Sequence, residues 1–251
     1  MIVREEHGSV TVLRIDHGKV GAIDVELLEI LEARLDEIEG SPTRAVVLTG
    51  SGSSFSAGLD LWRILDGGEP YVRRLLAAFR RGIARLFTFP RPVVAAVNGH
   101  AIAGGCVLAS CCDYRIVAAG KGKIGFPGLR VRMPYPALAV EILGFAAPLV
   151  QLEDLLYGGV LYSPSQARAN GLVNEVVAPE CLQARAREVA ERRASAQPLT
   201  FRLNKDRQRR PVLELAGRDP AREEGVDRAW SDPEAHALIR AHLEETVGRR
   251  R

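Results

Sequence analysis

The chain has few of the residues from which disulfide and metal sites are built. Only four cysteines occur among its 251 residues, and Cys106, Cys111 and Cys112 fall within one apolar run. No CxxC or CxxH spacing is present, so we expect no metal site. Thiols in an apolar run behave as small hydrophobic side chains. Cysteines without a disulfide framework favour a reducing, cytoplasmic setting.

A strong charge and an apolar leader are also missing. The net charge of +3 gives no global reason to expect nucleic acid as a partner. The first ten residues are charged from Arg4 onward, unlike a signal segment. Residues 93–112 are long enough to be scored as a membrane span, which needs about 20 apolar residues. Asn98, His100 and glycines interrupt them, so we expect a strand, a turn and a helix, and no membrane segment.

Common catalytic signatures are mostly absent. The sequence contains no GxSxG elbow, no Walker loop and no HExxH. Of the five histidines, His236 and His242 fall in the helical C-terminal segment, where we expect them to be solvated. Only His100 lies beside the candidate site described below, and a structural role is the simpler interpretation of it.

The patterns that are present indicate an α/β core. Residues 9–16 alternate as a strand, Asp24 precedes a helix that ends at Gly40, and residues 44–50 form a continuously apolar strand. This order predicts a βαβ unit. The remaining predicted elements are a helix over 71–87, strands over 93–97, 114–117, 123–126 and 172–177, helices over 137–143 and 148–157, a short helix capped by Ser163, and helices from Pro179 onward. We therefore predict a layered core over 1–195 and a helical C-terminal region over 196–251.

Two glycine-bearing loops follow strands of this core. Residues 92–113 give an apolar strand, a break at Asn98-Gly99 and a helix that begins at Gly104-Gly105. Backbone N–H groups at such a helix start are free to bind an anion or a developing oxyanion. The second loop is Phe55–Asp60, and open α/β sheets bind ligands at the edge where such loops meet. Close packing of helix on sheet is the alternative explanation of the paired glycines.

Several segments carry a resemblance to a known family. They are FSAGLD at 55–60, PVVAAVNG at 92–99, AGGC at 103–106, CDYRI at 112–116 and ARANGLVNEVV at 167–177. In this order and spacing the chain, from about residue 9 to 247, resembles the enoyl-CoA hydratase/isomerase (crotonase) superfamily. The resemblance implies a crotonase-like spiral of ββα units with a C-terminal helical trimerisation region. It also implies an acyl-CoA thioester as the substrate, self-association as a homotrimer or a dimer of trimers, and no separate cofactor, because coenzyme A is part of the substrate.

The resemblance assigns roles to particular residues. The backbone N–H groups of Leu59 and Gly104 would form an oxyanion hole for the thioester carbonyl. The positions implied for binding the substrate and its CoA are Lys19, Val20, Ala22, Ala57, Gly58, Asp60 and Gly105.

The chain departs from the family where the catalytic acids are expected. Val107 stands where hydratases of the family carry a glutamate, and Gly128 stands where a second glutamate serves the isomerases. Water addition needs a positioned acid/base pair. We therefore expect isomerase-like rather than hydratase chemistry, with a non-standard or missing base. Glu141 is the candidate substitute and Asp66 a weaker one, although each has a surface or solvated role as the simpler interpretation.

Two other functions stay open at this stage. The chain could be a catalytically silent acyl-CoA-binding homologue or assembly subunit. It could also be a decarboxylase or hydrolase of a carboxylated acyl-CoA, in which Arg130, Arg132 and Tyr135 recognise the carboxylate. Pairing of these three residues within a trimer interface is the simpler interpretation.

Overall fold

Two β-sheets and a set of helices make up the fold. The computed structural model describes residues 1–131 and 133–246. The strands are β1 (Ile2–His7), β2 (Val10–Ile15), β3 (Ala45–Gly50), β4 (Ser54–Ser56), β5 (Val93–Val97), β6 (His100–Ile102), β7 (Tyr114–Ala118), β8 (Ile124–Gly125), β9 (Leu161–Tyr162) and β10 (Glu175–Val177). The α-helices are α1 (Val25–Glu39), α2 (Leu61–Phe87), α3 (Gly104–Ser110), α4 (Ala137–Ala146), α5 (Leu149–Leu156), α6 (Pro164–Ala169), α7 (Leu182–Ala194), α8 (Pro198–Ala216), α9 (Pro220–Ser231) and α10 (Pro233–Thr246). Short 3₁₀ turns lie at Gly128–Val131 and Pro179–Cys181.

A strand, a second strand and a helix recur along the chain. The larger sheet has the order β1-β2-β3-β5-β7-β10 and the smaller one the order β4-β6-β8-β9. Strand β3 is followed by β4 and α2, and β5 is followed by β6 and α3. Each of these ββα repeats therefore adds one parallel strand to each sheet. Every residue of β3 and β5 is buried, as expected for strands covered on both faces. The predicted α/β spiral of ββα units is confirmed.

The first βαβ unit forms as predicted. Strands β2 and β3 are parallel, and α1 connects them. The Asp24 carboxylate accepts a hydrogen bond from Leu27 N at 2.7 Å and so begins α1, which ends at Gly40. The leucines at helical spacing face the core: Leu27, Leu28, Leu31 and Leu35 are all buried.

The sequence patterns missed several elements. Strand β1 pairs antiparallel with β2, and its charged side chains lie at the edge of the sheet, where Glu5 binds Arg14 at 2.9 Å. Strands β6 and β9 are only three and two residues long, too short to show an alternating pattern. Strand β10 begins at Glu175 rather than at the predicted Leu172.

Helix α2 begins ten residues before the predicted start. Asp60 caps it by accepting a hydrogen bond from Arg63 N at 3.0 Å. The helix then kinks at Gly68, whose φ of 58° and ψ of −160° are not helical, and Pro70 follows. Gly-Gly-Glu-Pro therefore marks a kink within one long helix rather than the end of a loop.

Buried charges and apolar contacts join the C-terminal helices to the core. Asp113 accepts hydrogen bonds from Lys205 at 2.8 Å and from Arg209 at 2.7 Å, and both cations on α8 are buried. Trp230, Ile239 and Leu243 belong to the same hydrophobic cluster as the sheet residues. The division of the chain at residue 195 stays a prediction, although the helices beyond it share the core with the rest.

Neither a helix that could cross a membrane nor a cluster of metal-binding side chains occurs among the described residues. No helix in residues 1–131 and 133–246 is both long enough and apolar enough to cross a bilayer. Over the same ranges, no three histidine, cysteine, aspartate or glutamate side chains are close enough together to hold a metal ion.

Candidate active site

The Leu59 amide is left free by the way its loop pairs with a neighbour. Ile23 N donates to Gly58 O at 2.7 Å, and Asp60 N donates to Ile23 O at 2.8 Å. In this parallel bridge the carbonyl of Gly58 and the N–H of Asp60 face Ile23. The N–H of Leu59, between them, therefore points to the opposite side. Within the described part of the chain, that N–H donates no hydrogen bond.

The Gly104 amide is presented by a strained residue. Ala103, which precedes Gly104 as the N-cap residue of α3, has φ 51° and ψ −117°. Among the residues that the structure describes, it is the one non-glycine residue with positive φ. Such a conformation costs about 1–3 kcal/mol and is concentrated at functional sites. Gly104 N is the first amide of α3, and it donates no hydrogen bond to any described protein group.

Glycines allow the two loops to touch. A Cβ added to Gly58 would lie 3.1 Å from Gly104 N, and Gly58 has a φ of 91°. A Cβ added to Gly105 would lie only 2.2 Å from Ser56 O, which is a backbone atom. The backbones of the two loops are therefore in direct contact, and the predicted pair Leu59 and Gly104 is brought to one place.

The segment predicted to bind CoA runs beside this point. Ala57 N donates to Val20 O at 3.1 Å, and Ser56 Oγ donates to Gly21 O at 2.7 Å. Lys19 and Val20 are exposed at the surface, and Ala22 is half-buried. This places an exposed loop next to the two amides, and its role in CoA binding stays a prediction.

Charged residues fix the helix that follows Leu59. The Asp60 carboxylate caps α2, so its predicted part in substrate binding stays untested. Arg63, in the first turn of α2, binds the buried Asp24 at 2.7 Å and also Glu26. His17 binds the same Asp24 at 2.7 Å. Burial alone would raise the pKa of Asp24, but hydrogen bonds from Leu27 N, His17 and Arg63 outweigh it and hold this pKa below its usual value.

Leu59 and Gly104, the two residues with free amides, both line one cavity of about 340 Å³. Ala57 also lines it, close to Leu59. The remaining wall is largely apolar and includes Leu61, Phe79, Ile102, Phe126, Met133 and Trp230. No aspartate or glutamate is among the described lining residues. The site therefore combines two hydrogen-bond donors with an apolar surrounding, and its described lining has no carboxylate.

Neither position at which the resemblance expects a glutamate places an acid on the described cavity wall. Val107 is fully buried in the hydrophobic core and is not among the described lining residues. Gly128 lines the cavity, but a Cβ there would lie 2.1 Å from Cε1 of Tyr135. The Tyr135 ring thus takes up the space into which a side chain at position 128 would project.

The hydroxyl of Tyr135 forms hydrogen bonds with backbone groups of the same chain. It accepts a hydrogen bond from Leu129 N at 2.9 Å and donates to Leu156 O at 3.1 Å. Desolvation raises the pKa of this phenol above its ordinary value. The ring also packs on Phe126 with the centroids 4.3 Å apart. The Tyr135 hydroxyl is thus used within the chain, and the two roles considered from the sequence, carboxylate recognition and subunit pairing, stay predictions.

The C-terminal helix α10 contributes a histidine to the cavity wall. His242 of α10 is half-buried and lines the cavity, so the expectation that it is simply solvated was wrong. Ile239, three residues earlier, is fully buried. This spacing on one face of a helix is the signal that could have placed His242 towards the interior.

The other candidate residues lie elsewhere. Glu141 is half-buried on α4 and is not among the described lining residues, so the structure does not support it as the substitute acid. Asp66 is exposed on α2. His100 accepts a hydrogen bond from Lys123 N at 3.3 Å and is likewise not among the described lining residues. Arg132 and the side chain of Arg130 lie outside the described part of the chain.

The buried thiols take no part in acid–base chemistry. Cys106, Cys111 and Cys112 are buried, as predicted, and they are free thiols. Burial raises the pKa of Cys106 and that of Cys112 to about 12. The thiolate, which is the reactive form, is therefore strongly disfavoured at neutral pH.

Fold and site together define a class of protein: an α/β spiral with two free amides on the wall of an apolar cavity. A family model described as "Enoyl-CoA hydratase/isomerase" matches residues 5–223 of the chain. The chain belongs to the enoyl-CoA hydratase/isomerase family, the crotonase superfamily.

Relatives with different names are similar to the chain to the same degree. A crotonyl-CoA hydratase of Syntrophomonas wolfei is 30% identical over 251 residues, covering 98% of this chain and 92% of the relative. The mitochondrial enoyl-CoA delta isomerase 1 of Mus musculus is 30% identical over 196 residues, covering 75% and 66%. The crystal structure of human mitochondrial delta3-delta2-enoyl-CoA isomerase matches with a TM-score of 0.92 at 25% identity, covering 97% of both chains. Identity alone therefore does not separate hydratase from isomerase.

Proposed function

We propose that this protein is an acyl-CoA enzyme that polarises a thioester carbonyl between the amides of Leu59 and Gly104. In this proposal the carbonyl oxygen accepts both N–H groups, and the proton on the carbon next to the carbonyl is removed and returned. The chemistry is isomerase-like: a proton is moved along the acyl chain, and no water is added.

The observation that carries this proposal is the pair of unused amides on two residues that line one cavity. Removing a proton next to a thioester places negative charge on the carbonyl oxygen. A fixed donor aimed at such an oxygen contributes about 3–4 kcal/mol to stabilising the transition state. Backbone amides suit this task because they need no reorganisation. The strain at Ala103 supports the proposal, since that residue turns the Gly104 amide out of the local hydrogen-bond network.

The lining supports the isomerase-like form over hydration. A hydratase must hold and activate a water molecule with a pair of acid/base groups. The described lining has no carboxylate, and its walls are mainly apolar. An acyl group without charge fits such walls best, because an unpaired charge there would lose its hydration.

A silent acyl-CoA-binding protein is the second candidate. The absence of aspartate and glutamate from the described lining favours it, because those residues are the usual bases of such reactions. The two candidates bind the acyl-CoA in the same way. They differ only in whether a proton is removed from the carbon next to the thioester carbonyl.

Hydrogen–deuterium exchange of a saturated acyl-CoA separates the two candidates. Butyryl-CoA is incubated with the protein in D₂O, and deuterium uptake next to the carbonyl is followed by NMR and mass spectrometry. We expect uptake well above that of buffer alone. Binding without uptake, also for longer acyl chains, would support the silent candidate and reject the enzyme.

The amides can be tested from the substrate side without changing the protein. S-Butyl-CoA, a thioether, keeps the CoA and the carbon chain but lacks the carbonyl oxygen. Two lost hydrogen bonds, each contributing about 0.5–1.5 kcal/mol, should weaken its binding roughly 10-fold relative to butyryl-CoA. Equal affinities in calorimetry would show that no carbonyl is held between Leu59 and Gly104.

We also propose self-association as a homotrimer or a dimer of trimers, as the family resemblance implies. Three leucines of α8 support it, because their side chains stand exposed on the surface: Leu199, Leu203 and Leu215 are 50%, 56% and 43% accessible. Native mass spectrometry measures the assembly directly.

A further inference from the structure

Two side chains on the described wall of the cavity are of a type that can pass a proton to or from a substrate, Tyr135 and His242. The hydroxyl of Tyr135 is already occupied, since it accepts from Leu129 N and donates its one proton to a backbone carbonyl. Burial also raises the pKa of this phenol. Tyr135 is therefore not available to carry a proton for a substrate.

The other polar side chains among the described lining residues form hydrogen bonds as well. Trp230 Nε1 donates to Pro134 O at 2.8 Å, and Thr246 Oγ1 donates to the backbone carbonyl of His242 at 2.7 Å. The His242 ring differs from all of these. Within residues 1–131 and 133–246 it makes no hydrogen bond and no ion pair.

Helix α10 holds His242 in a defined place. Ala235, Ile239 and Leu243 are buried in the main hydrophobic cluster and fix one face of the helix. His242 is next to Leu243 on this helix, is half-buried and lines the cavity. A side chain on an anchored helix keeps its position better than one on a loop.

We propose that the imidazole of His242 is the proton carrier of the reaction proposed above, and the inference rests on that proposed function. A neutral ring nitrogen takes the proton from the carbon next to the thioester carbonyl. The electrons of the C–H bond form a C=C bond, and those of the C=O bond move onto the oxygen held by Leu59 and Gly104. The imidazolium then returns the proton, either to the same carbon or to the γ-carbon of an unsaturated chain.

Imidazole suits this task on chemical grounds. It changes its protonation state near neutral pH and can both accept and donate a proton. General acid–base catalysis by a positioned side chain contributes about 10²–10⁴ in rate. The structure thus offers, from the C-terminal helix, the group that Val107 and Gly128 do not supply.

The test is His242→Gln in the full-length protein, with Arg240→Gln as the matched control. Arg240 is exposed on the same helix and does not line the cavity in the described structure. We expect His242→Gln to slow deuterium uptake by butyryl-CoA at least about 100-fold, with the affinity for butyryl-CoA within about three-fold of the wild type. Arg240→Gln should match the wild type in both measurements.

Chemical rescue extends the test. In His242→Ala, free imidazole added to the buffer should restore uptake in proportion to its concentration, whereas a substitution that only disturbed the fold would not respond. Circular dichroism and butyryl-CoA binding establish that each variant is folded.

The outcomes separate the two proposals. Wild-type binding without uptake rejects the proposed function, and the proton carrier with it. Wild-type uptake that His242→Gln leaves unchanged rejects His242 alone and leaves the enzyme standing. Loss of binding together with uptake in His242→Gln, and no rescue of His242→Ala by imidazole, would show a binding or packing role and overturn the assignment.

Discussion

Introducing a side chain at position 128 should destabilise the fold rather than supply the missing acid. In Gly128→Glu the first side-chain atom would lie 2.1 Å from Cε1 of Tyr135. Ordinary carbon contacts lie near 3.5–4.0 Å. The Tyr135 ring must therefore move by about 1.5 Å, judged against that ordinary separation. The same displacement is required in Gly128→Ala, which adds only the methyl group.

The expected loss of stability follows from the contacts that hold the Tyr135 ring in place. Moving Tyr135 weakens its hydrogen bonds with Leu129 N and Leu156 O, and each of these contributes about 0.5–1.5 kcal/mol. Overpacking costs a further 1–3 kcal/mol or so. We expect the free energy of unfolding to fall by about 3 kcal/mol, which corresponds to a decrease in Tm of roughly 6–12 °C for a chain of this size.

Thermal and urea unfolding at one fixed protein concentration measure this change. Gly225→Ala on α9 is the matched control, because an added Cβ there meets nothing within 4 Å and replaces a helical glycine. Its stability should stay equal or rise slightly. Adding Gly128→Glu to Tyr135→Ala should cost much less than adding it to the wild type, since the obstructing ring is gone.

Two results would refute this reasoning. Gly128→Ala and Gly128→Glu could both unfold within about 0.5 kcal/mol of the wild type, which is the range of neutral surface substitutions. Alternatively, the effects of Gly128→Glu and Tyr135→Ala could simply add. Either result would show that the Tyr135 ring does not occupy the space beside position 128.

Two further predictions concern other parts of the fold. Gly105→Ala should abolish butyryl-CoA binding or prevent folding, because its methyl group would lie 2.2 Å from Ser56 O and force the two loops apart; normal binding by calorimetry would contradict this. Burial lowers the pKa of Lys205 from 10.5 to about 8, although Asp113 opposes the shift. The unfolded chain therefore binds more protons between about pH 8 and 10.5, so the free energy of unfolding should rise across this window, by about 3 kcal/mol at most. Urea titrations should show the rise in the wild type and not in Lys205→Met; an identical pH dependence of the two proteins would contradict the assignment.

The repeating elements and the two donors were accessible from the sequence because their signals are local. Continuous apolar runs predict buried parallel strands, and Asp24 together with Gly40 marks a helix and its ends. The loops that carry Leu59 and Gly104 stand out by their glycines, which here permit close backbone contact. Local signals did not predict β1, because its charged residues do not form an apolar strand pattern. They also misplaced the start of α2, because the glycines at its kink resemble a helix boundary.

The chemistry of the cavity wall depends on residues far apart in the chain. By itself the sequence determined the family, the βαβ order, the two glycine-bearing loops and the lack of glutamate at positions 107 and 128. Only the tertiary structure decided that the ring of Tyr135 fills the space beside Gly128 and that His242 reaches the same cavity from the last helix. The physical reason is that Pro134 and helix α10 are brought together by packing around Trp230 and Ile239, and Trp230 binds Pro134 across 96 residues of chain. No local pattern of residues encodes such a meeting.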